Sequence, residues 1–433
     1  MKYRPYPKYK PSGIDWIGDI PEGWEVRRLK FVAHMVYGNS LSAEDRIEEN
    51  IPVYGSNGQV GWHNVAISKA PCIIVGRKGS YGKVNFCDTK CFPIDTTYFI
   101  DERFATVNLK WLFYILQLLE LDKFSQDTGV PGLSREYAYN KSLCLPPHIV
   151  QQQIADFLDQ KTAQIDELIG KKEEMINLLK EKRAAVINQA VTCGLDEKGS
   201  LRQKPENLPA SGWKPSGIDW IGDIPEGWEI FKLKYLTCKI GSGITPKGGA
   251  TIYQSEGIPL LRSQNIHFDS LHLDDVVYIS EEIHSSMIVS EVQEGDVLFN
   301  ITGASIGRCN YWEGKRGRAN VNQHVCIVRP SKKILTKFLW FFLSSDYCQQ
   351  QMLITQEGSS REGLNFKDFG CFTVILSSKD LQIKIVDFLD KKTAEIDGLI
   401  HKIKDAIDKL REYRSALITD AVTGKIDVRE VLT

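Results

Sequence analysis

The chain has 433 residues, 42% hydrophobic and 25% charged, with 54 Lys and Arg against 55 Asp and Glu for a net charge of −1. That length suits a protein of two to four structural units, and the charge balance excludes a uniformly polybasic binder, so any hold on nucleic acid must come from a local concentration of Lys and Arg. No window approaches the roughly 20 apolar residues that cross a bilayer, the opening MKYRPYPKYKPSG lacks a stretch of signal length, and ten cysteines form no CxxC pair; we expect a cytoplasmic protein without membrane contact, its cysteines reduced and in cores.

Residues 1–30 carry PSGIDWIGDIPEGWE at positions 11–25, and the same fifteen letters recur at 215–229, an offset of 204 (215 minus 11). A match that long makes the chain two copies of one unit. Residues 31–145 form a first insert that reads as mixed α/β, with strands at 71–75 and 96–100 and an aromatic-rich helix over 109–121. Its Gly-rich stretch 75–83, VGRKGSYGK, lets backbone approach a phosphate while Arg77, Lys78, Ser80, Tyr81 and Lys83 supply donors. Asn57, in a turn at 54–57, carries an amide able to read the edge of a base.

Residues 146–193 are a long helix introduced by Pro146-Pro147 and followed by Gly194. Leu158, Ile165, Leu179 and Val186 fall on a heptad seam, with Lys172 in the vacant place, and a companion row of Ile169, Ile176 and Ala190 is interrupted by Arg183. At 1.5 Å per residue such a helix is about 65 Å long. Residues 194–234 are a linker and the second copy of the repeated element.

The second insert, 235–376, again reads as mixed α/β, with strands at 296–300 and 324–329 and a helix over 335–351. Candidate DNA-contacting residues are Arg262, Gln264 and Asn265 in one turn, Ser305 and Arg308 in a Gly-rich loop, Arg316 and Arg318 in a basic run, and Asn322 and Gln323 before the second strand. Arg suits guanine, and Asn or Gln suits adenine. The aromatics Trp111, Phe113, Tyr114, Trp340, Phe341 and Phe342 read as core rather than as platforms for bases.

Residues 377–433 hold the C-terminal helix and tail. Ile154–Asp166 has its counterpart at 385–397, an offset of 231 (385 minus 154), and the seam returns in phase as Leu389, Ile396, Ile403, Leu410 and Leu417 beside Ile400, Ile407 and Ala421, again with an Arg, Arg414, in the companion row. Two seams in one phase let the helices pair within one chain, in either direction; an antiparallel pair would relate the inserts by a pseudo-twofold axis. Between the anchors little survives beyond Ile51-Pro52 beside Ile258-Pro259 and a Gly-rich loop in each insert. A retained frame with freed inserts points to one scaffold carrying two unlike recognition units.

Catalytic patterns are missing. Gly76 to Lys83 fails the phosphate-loop spacing, no HExxH, GxSxG or kinase set occurs, and no Asn or Asp precedes Pro-Pro and an aromatic as in amino-methyltransferases. Two rivals to a DNA-recognition reading stay open: a coiled-coil adaptor whose inserts bind proteins, and a metal-dependent nuclease built on Asp296, Glu313 and Lys315.

The repeated IGDIPEGW (17–24 and 221–228), the helix opening QQQIADFLD (151–159) with its partner at 382–390, and the two divergent inserts together resemble the specificity subunit of type I restriction-modification systems over nearly the whole chain. The resemblance implies an α+β protein in which two α/β target recognition domains are separated by an antiparallel pair of long coiled-coil helices. It implies a non-catalytic chain that binds double-stranded DNA, two modification subunits and restriction subunits, and holds no metal or cofactor itself. S-adenosylmethionine, ATP and Mg are expected in the partners.

Overall fold

The computed structural model describes residues 3–123, 131–205, 211–218, 221–313, 317–356 and 363–429. It resolves into two compact units, residues 1–173 with 404–433 and residues 174–403. Unit 1 is discontinuous and unit 2 continuous, because the long helices, His148–Cys193 and Lys379–Val422, each run from one unit into the other. With 46 and 44 residues, they are each about 65–70 Å long.

Within each unit the two helix segments are antiparallel. In unit 1, Arg414 donates to the Asp166 carboxylate at 2.9 and 3.2 Å, and Arg411 donates to Glu173 at 3.1 Å. In unit 2, Arg183 Nε donates to both oxygens of Asp397, at 3.0 and 3.3 Å. Arg183 with Arg414, and Asp166 with Asp397, are the same positions of the 231-residue repeat, so one ion pair is made twice. This is why an Arg interrupts each apolar row. Around it Leu158, Ile165 and Leu417 enter the core of unit 1 and Leu389 that of unit 2, Ile396 is buried as well, and Leu179, Val186, Ile403 and Leu410 are partly buried. Each fully buried Leu or Ile is worth about 1.5–3 kcal/mol.

The repeated element has one structure in both copies. Strand Tyr9–Pro11 pairs with Asp19–Pro21, and Trp213–Pro215 with Asp223–Pro225, in the same register, Lys10 opposite Ile20 and Lys214 opposite Ile224. The tryptophans that follow, Trp24 and Trp228, are buried. Each long helix ends at a glycine with positive φ, Gly194 at 77° and Gly424 at 72°, the left-handed closure that glycine adopts without steric cost. A Cβ at Gly424 would stand 2.5 Å from Pro21 Cδ, and one at Gly194 would stand 2.8 Å from Trp228 Cζ2. The C-terminal helix therefore ends against the first repeat element, and the central helix against the second.

The helix openings are also tied down in matching fashion. Gln151 is buried, accepts the Asn108 N–H at 2.9 Å and donates to the Pro146 carbonyl at 2.9 Å. Its repeat counterpart Gln382 accepts the Leu335 N–H at 2.9 Å and donates to the Ser377 carbonyl at 2.9 Å. These two glutamines lock the first turn of each long helix to the start of the aromatic helix of the neighbouring insert.

The inserts share a topology that their sequences conceal. In unit 1 a four-stranded antiparallel sheet runs Val36–Tyr37, Thr97–Asp101, Cys72–Gly76, Val84–Cys87, beside a three-stranded sheet Gly58–His63, Ile51–Gly55, Phe92–Pro93. Unit 2 repeats the first sheet as Thr237–Ser242, Val325–Pro330, Val297–Asn300, Cys309–Tyr311, and the second as Val277–Ile279, Ile258–Leu261, Ala319–Val321 with Glu291–Val292 added at its edge. In both second sheets one pairing is parallel, Val53 with Phe92 and Leu260 with Asn320. Two α/β domains joined to an antiparallel pair of long helices make the α+β class read from the sequence.

The aromatic helices are shorter than their patterns suggest, Leu109–Leu116 and Thr336–Ser344. In the second, Ser345 turns extended (φ −75°, ψ 155°) and a new helix, Asp346–Gln356, begins with the Asp346 N–H capped by Asn188 Oδ1 at 2.8 Å. Apolar periodicity runs through this break because the second helix packs on the same core. Trp111, Tyr114, Trp340, Phe341 and Phe342 are buried and Phe113 packs beside them, as core residues. All ten cysteines are free thiols, eight of them buried. Among the described residues no helix is long and apolar enough to cross a membrane.

Two glycine substitutions and a double-mutant cycle check this closure and pairing. Gly424→Ala combines a left-handed conformation, costing about 1–2 kcal/mol, with collision against Pro21; Gly13→Ala, at φ 76° with open space around it, carries the first cost alone. Urea unfolding should place Gly424→Ala well below Gly13→Ala. A double-mutant cycle on Arg183 and Asp397 should give a coupling of about 0.3–1 kcal/mol, the range for partly exposed pairs.

Candidate nucleic-acid interface

One corner of the sheet is built twice. In unit 1 the Gly82 N–H donates to Gly76 O and the Gly76 N–H to Lys83 O, both at 2.8 Å; in unit 2 the Gly307 N–H donates to Asn300 O and the Asn300 N–H to Arg308 O, also at 2.8 Å. The next residues extend the match: Leu133 N–H donates to Arg77 O and Leu364 N–H to Ile301 O at 2.8 Å, while Lys78 bridges Gly132 and Thr302 bridges Gly363. The two Gly-rich loops are thus structural equivalents, the later one longer by one residue. Ile51-Pro52 and Ile258-Pro259 lie in equivalent strands, which makes Asn57 and Gln264 equivalent as well.

In unit 1 the structure brings the flagged residues to one edge. Lys83 Nζ donates to the Asn57 backbone O at 2.9 Å and to its Oδ1 at 2.8 Å, joining the 54–57 turn to the loop. Lys78 and Ser80 are exposed, Arg77 is partly buried, and Tyr81 leans on the core. Tyr37 and Arg135 join this edge although no sequence pattern marks them. The Arg77 and Arg135 guanidiniums stand 5.1 and 4.9 Å from the centroid of the Tyr37 ring. Behind them Tyr98 donates to Leu133 O at 3.1 Å; burial, reinforced by Tyr37, pushes its phenol up to about 12.

In unit 2, Asn300 Nδ2 donates to Ser263 O at 2.8 Å and to Ser305 Oγ at 3.1 Å, which joins the 262–265 turn to the Gly-rich loop. The Thr302 hydroxyl and His324 Nδ1 are 2.6 Å apart, and Asn322 Oδ1 accepts the His324 N–H at 3.1 Å, which adds the third segment. Gln323 is exposed, Asn322 is buried and Arg308 is partly buried. Asn265 is fully buried, and its amide is spent on Arg262 N–H, His272 O and Asp275 at 2.9–3.0 Å. It holds the turn that presents Arg262 and Gln264, which themselves lean on Asp275. Arg318 is paired with Glu281 at 2.8 Å and Glu291 at 3.5 Å. Arg316 lies outside the described residues.

The two described members of the nuclease grouping have partners of their own. Asp296 is fully buried and bonded twice by Arg329, at 2.7 and 2.8 Å, Glu313 accepts from Tyr311 at 3.0 Å, and Lys315 lies outside the described residues. His267, Asp269 and His272 gather on the surface of unit 2. Their two imidazoles are stacked 3.9 Å apart with planes 15° from parallel, so an ion in the plane of one ring stands off the plane of the other, unlike metal–imidazole coordination.

The profile described as Type I restriction modification DNA specificity domain matches residues 21–178 and 225–409. The chain is 26% identical to the EcoBI type I restriction enzyme specificity subunit of Escherichia coli over 365 residues, covering 82% of this chain and 73% of that protein. It is 22% identical to the MjaVIII specificity subunit of Methanocaldococcus jannaschii, covering 95% of each. A chain from a structural study of complex assembly and conformational transition in the type I R-M system matches the fold with a TM-score of 0.65 at 14% identity, over 94% of this chain and 99% of that one. With both inserts and the greater part of each long helix inside the matched segments, this chain belongs to the family of type I restriction-modification DNA specificity subunits.

Proposed function

We propose that the two inserts each read one half of a bipartite, asymmetric site in double-stranded DNA, and that the long helices set the spacer between the halves. One observation carries this reading: a matching backbone corner carries different side chains, Asn57 against Gln264, Lys78 against Thr302, and partly buried Arg77 against buried Ile301. Equal frames with unequal donors and acceptors are what recognition of two unlike sequences requires. The nuclease reading loses its carboxylate to Arg329.

In this reading the chain performs no chemistry. Two modification subunits bind it and methylate adenine with S-adenosylmethionine, a reaction that takes the base out of the stack, and restriction subunits add ATP- and Mg-dependent translocation and cleavage. Support for paired docking comes from Leu168 and Leu399, equivalent by the 231-residue offset and both exposed, at 44% and 49%. Exposed large apolar side chains repeated on a scaffold are what a partner used twice would cover.

Mapping methylated adenines in a host that expresses chain variants tests both claims. Exchange of residues 235–376 for another insert of this kind should change one half of the modified site and leave the other intact; a change in both halves would sink the division of labour. Insertion of one heptad at facing positions of both helices adds about 10 Å to each, and should move the half-sites apart by about three base pairs at about 3.4 Å per pair. An unchanged spacer would remove the helices from the role of ruler.

A further inference from the structure

Several arginines of this chain meet carboxylates. Arg103, Arg183, Arg318, Arg329 and Arg414 each pair with an Asp or Glu. Arg77 and Arg135 differ: among the described residues no carboxylate stands within ion-pairing distance of either, yet both are held against the one ring of Tyr37. The two distances to that ring, 5.1 and 4.9 Å, keep the cations within about 10 Å of each other. Their own hydrogen bonding is incomplete. Arg77 Nε is buried without a partner, and Arg135 Nη1 makes only a long 3.4 Å bond to Met35 O.

The backbone holds the cluster in place. Arg77 O accepts from Leu133, and Arg135 opens the short helix Arg135–Asn140, whose cap Ser134 accepts the Tyr137 N–H. Tyr37 lies on the edge strand of its sheet with 44% of its surface exposed. Two cations gathered on an exposed ring, with no counterion among the described residues, make a site for an external anion. A guanidinium beside an aromatic ring can still offer N–H donors, which match phosphate oxygens in pairs. A neutral base would leave the doubled positive charge uncompensated.

We propose that Tyr37, Arg77 and Arg135 form a seat for one backbone phosphate of duplex DNA, an inference that rests on the DNA-recognition reading above. The seat belongs to one reader only. Matching backbone bonds place Ile301 at the position of Arg77 and, two residues beyond Leu364, Phe366 at that of Arg135; Gly38 and Gly243 accept the same role after their strands, which places Ser242 at that of Tyr37. The equivalent corner of unit 2 thus carries no cation at these three positions. Unit 1 then contributes a sequence-independent anchor that sets register, and unit 2 has no counterpart of it among the described residues.

The test measures binding of the full-length chain to several mixed-sequence duplexes by fluorescence anisotropy across roughly 50–200 mM salt. Arg135→Ala should weaken binding to all duplexes by the same factor and reduce the slope of log affinity against log salt by about one. Arg135→Lys should retain most of that slope, and Lys69→Ala, which removes a surface cation already paired with Glu102, should leave it unchanged. Circular dichroism confirms that each variant is folded; if Arg135→Ala is not, the decision rests on Arg135→Lys together with Tyr37→Ala, which should lower affinity evenly across the duplexes. A slope for Arg135→Ala equal to that of Lys69→Ala overturns the seat, as does an altered ranking of the duplexes, the mark of a base contact. A wild-type chain with salt-independent affinity, or none, overturns the DNA reading itself.

Discussion

The closure of each long helix on a glycine, Gly424 against Pro21 and Trp24 and Gly194 against Trp228, is the contact on which the arrangement of this chain depends. A side chain at either place would collide with the repeated element, and a left-handed φ at the helix end is needed for the chain to turn away from it. The helix of the second copy thereby seals the core of the unit that begins with the first copy. Arg183–Asp397 and Arg414–Asp166 then fix the register of the helices, while the apolar seams supply most of the burial energy.

That frame leaves the inserts free to diverge. Their sheets are buried by strands such as Cys72–Gly76 and Val297–Asn300, in which every residue is inside, and their orientation is set by Gln151 and Gln382. At the loop corner the backbone bonds, rather than one fixed set of side chains, carry the shared frame. Asn57 and Gln264 can differ, and Arg77 can become Ile301, without disturbing the backbone bonds that hold the corner. In the proposed function, stability and recognition are assigned to different residues, the condition under which one scaffold can serve two different sequences.

The net charge of −1 conceals this division. Carboxylates along the helices are engaged in ion pairs such as Glu167 with Lys171 and Glu395 with Lys392, whereas Arg77 and Arg135 stand against the Tyr37 ring. Distribution rather than total charge decides whether a surface attracts phosphate.

The sequence by itself determined what is local or periodic: the duplicated element, the two heptad seams in phase, the glycines that stop the helices, the aromatic cores of the inserts and the Gly-rich loops. Each of these follows from spacing along the chain, which fixes helix faces and turns before any tertiary contact forms. Only the tertiary structure decided the antiparallel direction, since a heptad pattern is the same read either way. It also decided that Asn265 holds a turn, that Ser345 breaks a helix whose apolar pattern continues, and that Tyr37, Arg77 and Arg135 meet. Those outcomes join segments distant in the chain, and no local pattern encodes which segments a folded core will bring together.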